Sequence, residues 1–186
     1  MSRPVLVLLN GAPASGKSTL ARAWAQRHGA DLPLALDIDV LRSMLGGWQH
    51  APGDAGLAAR AVAVAGIRAH LSAGRDVVVP QYLFRTAFVD ELRATAESVA
   101  AAFLECAVMV DAAAAADRFD QRQVISSASS APYAPVVHSG LGELSMTEHV
   151  AEFERVLAGR PGVVRLSGTL EGMVDQLDAA IAAVRR

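Results

Sequence analysis

A five-residue apolar run, Val5-Leu6-Val7-Leu8-Leu9, is separated by Asn10 alone from Gly11-Ala12-Pro13-Ala14-Ser15-Gly16-Lys17-Ser18. A short, β-branched and leucine-rich run without alternation is the pattern of a strand buried on both faces of a parallel sheet. The loop that follows matches G-x-x-x-x-G-K-[ST] in full. Gly11 and Gly16 let the backbone curl so that successive N–H groups converge on one phosphate, with the positive end of the next helix behind it. Lys17 can then bridge the β- and γ-phosphates, and the Ser18 hydroxyl can ligate Mg²⁺. A glycine-rich turn that merely caps a helix is the competing reading, and it leaves the lysine unexplained. Lys17 is the only lysine among 17 basic residues, and it stands where a compact ammonium suits a phosphate. The strand, loop and helix predict a nucleoside triphosphate site.

The rest of the chain alternates in the same way. Ser18 to His28 reads as a helix ended by Gly29, and Leu34 to Leu36 as a weak second strand running into Asp37-Ile38-Asp39. Leu57 to Leu71 has helical spacing up to Gly74. Val77-Val78-Val79 is a third strand, stopped by Pro80. Phe88 to Val99 reads as a helix, and a fourth strand falls within Ala101 to Val110. Asp111 caps a helix running through five alanines to Gln123, and Ile125 to Gly142 reads as a loop. Ser145 with Glu148 forms a capping box for a helix to Leu157. Val163 to Leu166 is a fifth strand, and the last helix spans about Leu170 to Val184. Strands alternating with helices predict one α/β domain over residues 1–186, its sheet mainly parallel and covered by helices on both faces.

Composition narrows the classes. Hydrophobic residues make up 52% and charged residues 19%, which supports a sizeable core. A net charge of −2 argues against a general polyanion-binding surface, so nucleic acid is not the expected partner. The one cysteine, Cys106, forbids an internal disulfide, and the histidines show no zinc-ligand spacing. No run reaches the ~18 apolar residues of a membrane span. Arg3, the apolar run and Ala12-Pro13-Ala14 imitate a signal peptide, but five apolar residues fall short of the roughly 7–15 required. A cytoplasmic protein is expected.

Gly11 to Thr19, then Asp37-Ile38-Asp39 with Arg42, then Arg118 and Arg122, resemble the small phosphate-loop kinases. That family includes shikimate and gluconate kinases, chloramphenicol phosphotransferase, zeta toxins and the kinase domain of polynucleotide kinase. The resemblance implies a three-layer fold with five strands in the order 2-3-1-4-5 and a helical lid, here at about 112–142. It implies ATP, Mg²⁺ and transfer of the γ-phosphoryl group to a hydroxyl of a small molecule. By similarity to shikimate kinases, Asp37 would help Ser18 to hold Mg²⁺ and Asp39 would take the acceptor's proton. Arg42 matches an Asp-x-x-Arg arrangement of polynucleotide kinases, whose Arg faces substrate or transferred phosphate.

The residues themselves bear on these roles. Asp37 and Asp39 end the second strand, where open α/β sheets bind ligands, and an extended segment would put both on one side. The alternative is that Asp39 is only an N-cap and Arg42 its solvated partner. Arg118 and Arg122, four apart on one helix, share a face and could neutralise the transferring phosphate or pair with Asp117 or Asp120. Gly168, in the Ser167-Gly168-Thr169 turn, is where relatives bring backbone to the adenine. Gln81, Tyr82 and Arg85 would face the acceptor, with Trp48 and His50 as the opposite wall. No acidic residue lies between Asp76 and Asp90 to serve as a separate metal carboxylate on the third strand. Two other functions fit the residues: a 5′-hydroxyl polynucleotide kinase, and a nucleotide-binding regulatory module without acceptor chemistry.

Overall fold

Every residue of β1 (Val5–Asn10) is buried, which makes it the central strand of the sheet. The computed structural model describes residues 3–83, 86–118, 144–160 and 162–185. β2 (Leu34–Ala35), β3 (Val77–Gln81), β4 (Ala102–Val108) and β5 (Val164–Leu166) complete a five-stranded sheet in the order β2-β3-β1-β4-β5. All four pairings are parallel. The sheet is therefore wholly, not mainly, parallel.

Alternate residues of β1 feed two cores. Val5, Val7 and Leu9 pack with Leu20 and Trp24 of α1 (Lys17–Arg27) and with Val174, Leu177 and Ile181 of α7 (Leu170–Val184). Leu6 and Leu8 face the other way, onto α2 (Ile38–Ser43), α3 (Pro52–Ser72) and α4 (Thr86–Glu97). Each such fully buried aliphatic side chain is worth roughly 1.5–3 kcal/mol, so both layers are anchored on the strand that delivers the loop. Residues 112–118 form the described part of α5. α6 (Met146–Ala158) opens on the expected Ser145–Glu148 capping box and packs Phe153 and Leu157 against Ala107 of β4.

Three differences from the sequence reading have a physical reason. β3 does not stop at Pro80 but runs through it to Gln81. Leu36 N–H donates to the Val78 carbonyl, so Val78 faces β2 and Pro80, two residues on, faces the same side. β2 has ended by then, and the missing proline N–H costs no ladder bond. α3 starts at Pro52 rather than Leu57, because proline suits a helix's first position although the Gly- and Ala-rich turn after it lacks apolar periodicity. Asp37 and Asp39 do not lie on an extended segment: Asp37 is the N-cap of α2 and Asp39 belongs to its first turn. The expected loop from Ile125 to Gly142 and most of the expected lid lie outside the described residues.

Candidate nucleotide and acceptor site

The loop after β1 is built to hold an anion. Ala14 (φ 57°) and Gly16 (φ 91°) lie in the left-handed region, which turns successive N–H groups toward one concavity. Gly16 is the N-cap of α1, and the helix has no acidic residue in its first turn to neutralise its positive end. A Cβ on Gly11 would sit 2.6 Å from Ser15 Oγ and 3.2 Å from the Val108 carbonyl oxygen, so a side chain there forces Ser15 to move. Ser15 Oγ is itself buried without a hydrogen-bond partner. An orphaned buried hydroxyl beside the positive end of α1 fits a phosphate. The Lys17 ammonium arches over the loop and donates to the Ala12 carbonyl at 3.2 Å.

Beside the loop lies a cavity of about 680 Å³, within the usual range for small-ligand sites. It brings together Ala14, Ser15, Gly16 and Thr19 of the loop and first helix, Arg118 of α5, and Gly168 before α7. Gly168 has φ 104°, so its turn needs glycine. Met109, Val110 and Met173 give the cavity apolar wall, and Glu154 of α6 reaches it as well. Sequence reasoning missed these four; the capping box that begins α6 could have placed Glu154 two turns on, but not toward the loop. Asp111 caps α5, its Oδ1 accepting N–H bonds from Ala113 and Ala114 at 3.0 and 3.2 Å.

Across the loop, α2 presents an ion pair. Asp37 Oδ1 accepts the Asp39 N–H at 3.1 Å, which fixes the first turn. Asp39 Oδ1 lies 3.2 Å from Arg42 Nη2; the Asp39 side chain is 61% exposed and that of Arg42 only 12%. Arg42 is thus not a solvated partner: its guanidinium lies 5.5 Å from the Trp48 ring centre, and its buried Nε has no partner. Desolvation holds the Asp39 carboxyl above its ordinary value, Asp37 adds to the rise, and Arg42, Lys17 and Arg60 oppose it. The Lys17 influence ties the phosphate loop to the α2 pair. Among the described residues no cluster of three or more His, Cys, Asp or Glu could hold a metal alone. The Ser18 hydroxyl and the Asp37 carboxylate are oxygen donors of the kind that Mg²⁺ takes beside phosphate and water.

A family model described as an AAA domain, AAA_33, matches residues 6–137. The chain belongs to the AAA_33 family. Among solved structures, this AAA_33 protein is similar to a gluconokinase from Sinorhizobium meliloti 1021, with 17% identity and a TM-score of 0.60 over 100% of this chain and 95% of that one. It is similar to Kti12 of Chaetomium thermophilum in complex with ADP-AlF3, with 16% identity and a TM-score of 0.55 over 96% and 99% of the two chains. A chain of the Pnkp1/Rnl/Hen1 RNA repair complex gives 18% identity and a TM-score of 0.61 over 87% of this chain, which spans only 48% of that one. At such identities the likeness is one of fold, and the fold is that of the small phosphate-loop kinases. No curated protein has a matching sequence. Among the described residues, no helix of this AAA_33 protein is long and apolar enough to cross a membrane.

The acceptor-side residues fall in different places. Gln81 ends β3 beside Asn10, and its buried Oε1 has no partner. Tyr82 turns toward α6: its hydroxyl lies 3.2 Å from His149 Nδ1 and its ring packs on Phe153. Burial raises the phenol's pKa, so Tyr82 is held as a packing and hydrogen-bonding group of α6. Trp48 is half-buried under Arg42, and His50 is exposed. Arg85 and Arg122 lie outside the described residues.

One residue the sequence did not single out organises both loops. Asn10 is fully buried, and its Oδ1 accepts N–H bonds from Gly11 and Leu83, both at 3.0 Å. Its Nδ2 donates to the Leu83 carbonyl at 3.1 Å and reaches Glu105 Oε1 at 3.4 Å. Glu105, 8% exposed, is paired in turn with Arg160 at 2.8 Å. The phosphate loop is therefore stitched to the loop after β3.

Proposed function

We propose that this AAA_33 protein is an ATP-dependent phosphotransferase whose acceptor is a hydroxyl of a small molecule. The observation that carries the reading is the orphaned Ser15 hydroxyl in the left-handed loop before α1, together with a Lys17 charge close enough to bear on the Asp39 of the Asp39–Arg42 pair. Asp39 accepts the proton of the acceptor hydroxyl as its oxygen bonds to the γ-phosphorus. The bond from that phosphorus to the β–γ bridging oxygen breaks, and ADP leaves. Lys17 and the loop amides bind the phosphates and stabilise the charge that develops on the transferring group, helped by Arg118 and Arg122. Arg42 both holds Asp39 and faces the acceptor, with Gln81 and Arg85 as further hydrogen-bonding groups. The cavity lined by Arg118 and Gly168 receives the nucleoside. Ser18 and Asp37 would hold Mg²⁺, which supplies charge neutralisation between the β- and γ-phosphates when bound.

ADP release with ATP, Mg²⁺ and a panel of sugars, cyclitols, antibiotics and nucleosides tests this reading. Asp39→Asn should abolish acceptor-dependent turnover while leaving ATP affinity intact, and Lys17→Ala should weaken ATP binding. Undiminished turnover in the first variant removes the base, and unchanged affinity in the second removes the loop. A polynucleotide 5′-hydroxyl is the second reading, favoured by the Asp39-x-x-Arg42 spacing. Salt-dependent binding and phosphorylation of an oligonucleotide would select it. ATP binding with no transfer to any alcohol would select a regulatory module.

A further inference from the structure

α3 is apolar on the side that it does not bury. Its core stripe is Ala55, Ala59, Ala63, Ile67 and Leu71. At 3.6 residues per turn, Asp54, Ala61 and Arg68 run down the opposite side, flanked by Leu57, Ala58, Val64 and Ala65. Leu57 is 65% exposed and Val62 53%. A helix that packs by one stripe ordinarily carries charge on the other. Here the outward line holds two charges near its ends, Asp54 and Arg68, and neither has an ion-pair partner among the described residues. From Ala61 to Ser72 this side carries a shallow groove of about 520 Å³, lined by Ala61, Val64, Ala65, Arg68, Ala69 and Ser72.

These features complement one another under a two-fold axis. We propose that α3 is a self-association surface, on which two copies of this chain pack their α3 helices antiparallel about an axis at Ala61. Leu57 and Ala65 stand four residues either side of Ala61, and Asp54 and Arg68 seven. Antiparallel packing therefore seats Leu57 of each copy in the alanine groove of the other, and sets Asp54 against Arg68 of the partner subunit twice over. Alanine at the axis lets the two helices approach closely. The arrangement is isologous, so it closes at a dimer. One helix pair is smaller than the ~1,200–2,000 Å² interface of a tight complex, and the dimer dissociates at concentrations on the order of micromolar.

Sedimentation velocity over a concentration series tests this on the full chain: the mass rises from 19.4 kDa toward twice that value. Asp54→Arg and Arg68→Asp should each weaken the dimer about tenfold by placing like charges together, and the double variant should restore it. Under mild oxidation Ala61→Cys should give a disulfide-linked dimer at least tenfold faster than Ala151→Cys, an exposed position on α6. The native Cys106 is buried and does not compete. A chain that stays monomeric at every concentration overturns the proposal and leaves the face to a different partner. A double variant no tighter than its parents, or an Ala61→Cys dimer no faster than the control, overturns it too.

Discussion

Removing the Asn10 side chain should cost more than its size suggests. Asn10→Ala strips partners from three backbone groups at once: the N–H groups of Gly11 and Leu83 and the carbonyl of Leu83. The site is fully buried, so no bulk water replaces them. An orphaned buried group costs roughly 1–3 kcal/mol, which for three groups puts the loss at about 3–9 kcal/mol. That is a large share of the roughly 5–15 kcal/mol that keeps an ordinary domain folded. Urea unfolding read by circular dichroism measures it. Asn10→Asp sharpens the test, because it keeps the acceptor for Gly11 and Leu83 but turns a second oxygen on Glu105 and the Leu83 carbonyl. Burial and the neighbouring carboxylate raise the introduced group's pKa in the folded state above its unfolded value of about 3.9. The folded variant then holds a proton that the unfolded chain releases, so its deficit is small near pH 5 and grows as the pH rises toward 8. A loss under about 1 kcal/mol for Asn10→Ala, or a deficit of Asn10→Asp that does not change with pH, would refute the reasoning.

Gly11→Ala should weaken ATP binding at least tenfold, because its Cβ meets Ser15 Oγ at 2.6 Å; adding Ser15→Ala should recover part of the loss, as isothermal titration can show. Gly16→Ala meets nothing within 4 Å but sits at φ 91°, so it should cost about 1–2 kcal/mol of stability through the backbone alone, read from the urea midpoint. Since desolvation lifts the Asp39 pKa above 3.8, the acid limb of the turnover profile should lie above that value, and Arg42→Gln should move it higher by removing an opposing cation. Burial pushes the Cys106 thiol up to about 12, so aromatic disulfide reagents should leave it unmodified until the chain unfolds.

The parts of the molecule legible in the sequence are those fixed by local chemistry. The loop from Gly11 to Thr19, the Ser145 capping box and the last helix each declare themselves through residues within one turn of each other, and α7 spans the expected Leu170–Val184. Pro80 misled because what it forfeits depends on where β2 ends, which is not a property of β3. Asp37 and Asp39 misled because a cap and an extended segment use the same residue type; only the Asp39 N–H bond to Asp37 decides between them. Asn10 was silent because its partners Leu83 and Glu105 are 73 and 95 residues away. Tyr82 carries no local sign that α6 will claim its hydroxyl.

A chain with one ε-amine carries its own reporter. The Lys17 ammonium rests on the Ala12 carbonyl across the phosphate cradle, so an amine-selective acylating reagent that adds one mass increment beyond the α-amine reports on that spot. Occupancy by a triphosphate can therefore be followed on the intact protein by mass spectrometry, as shielding of one atom, whatever the acceptor.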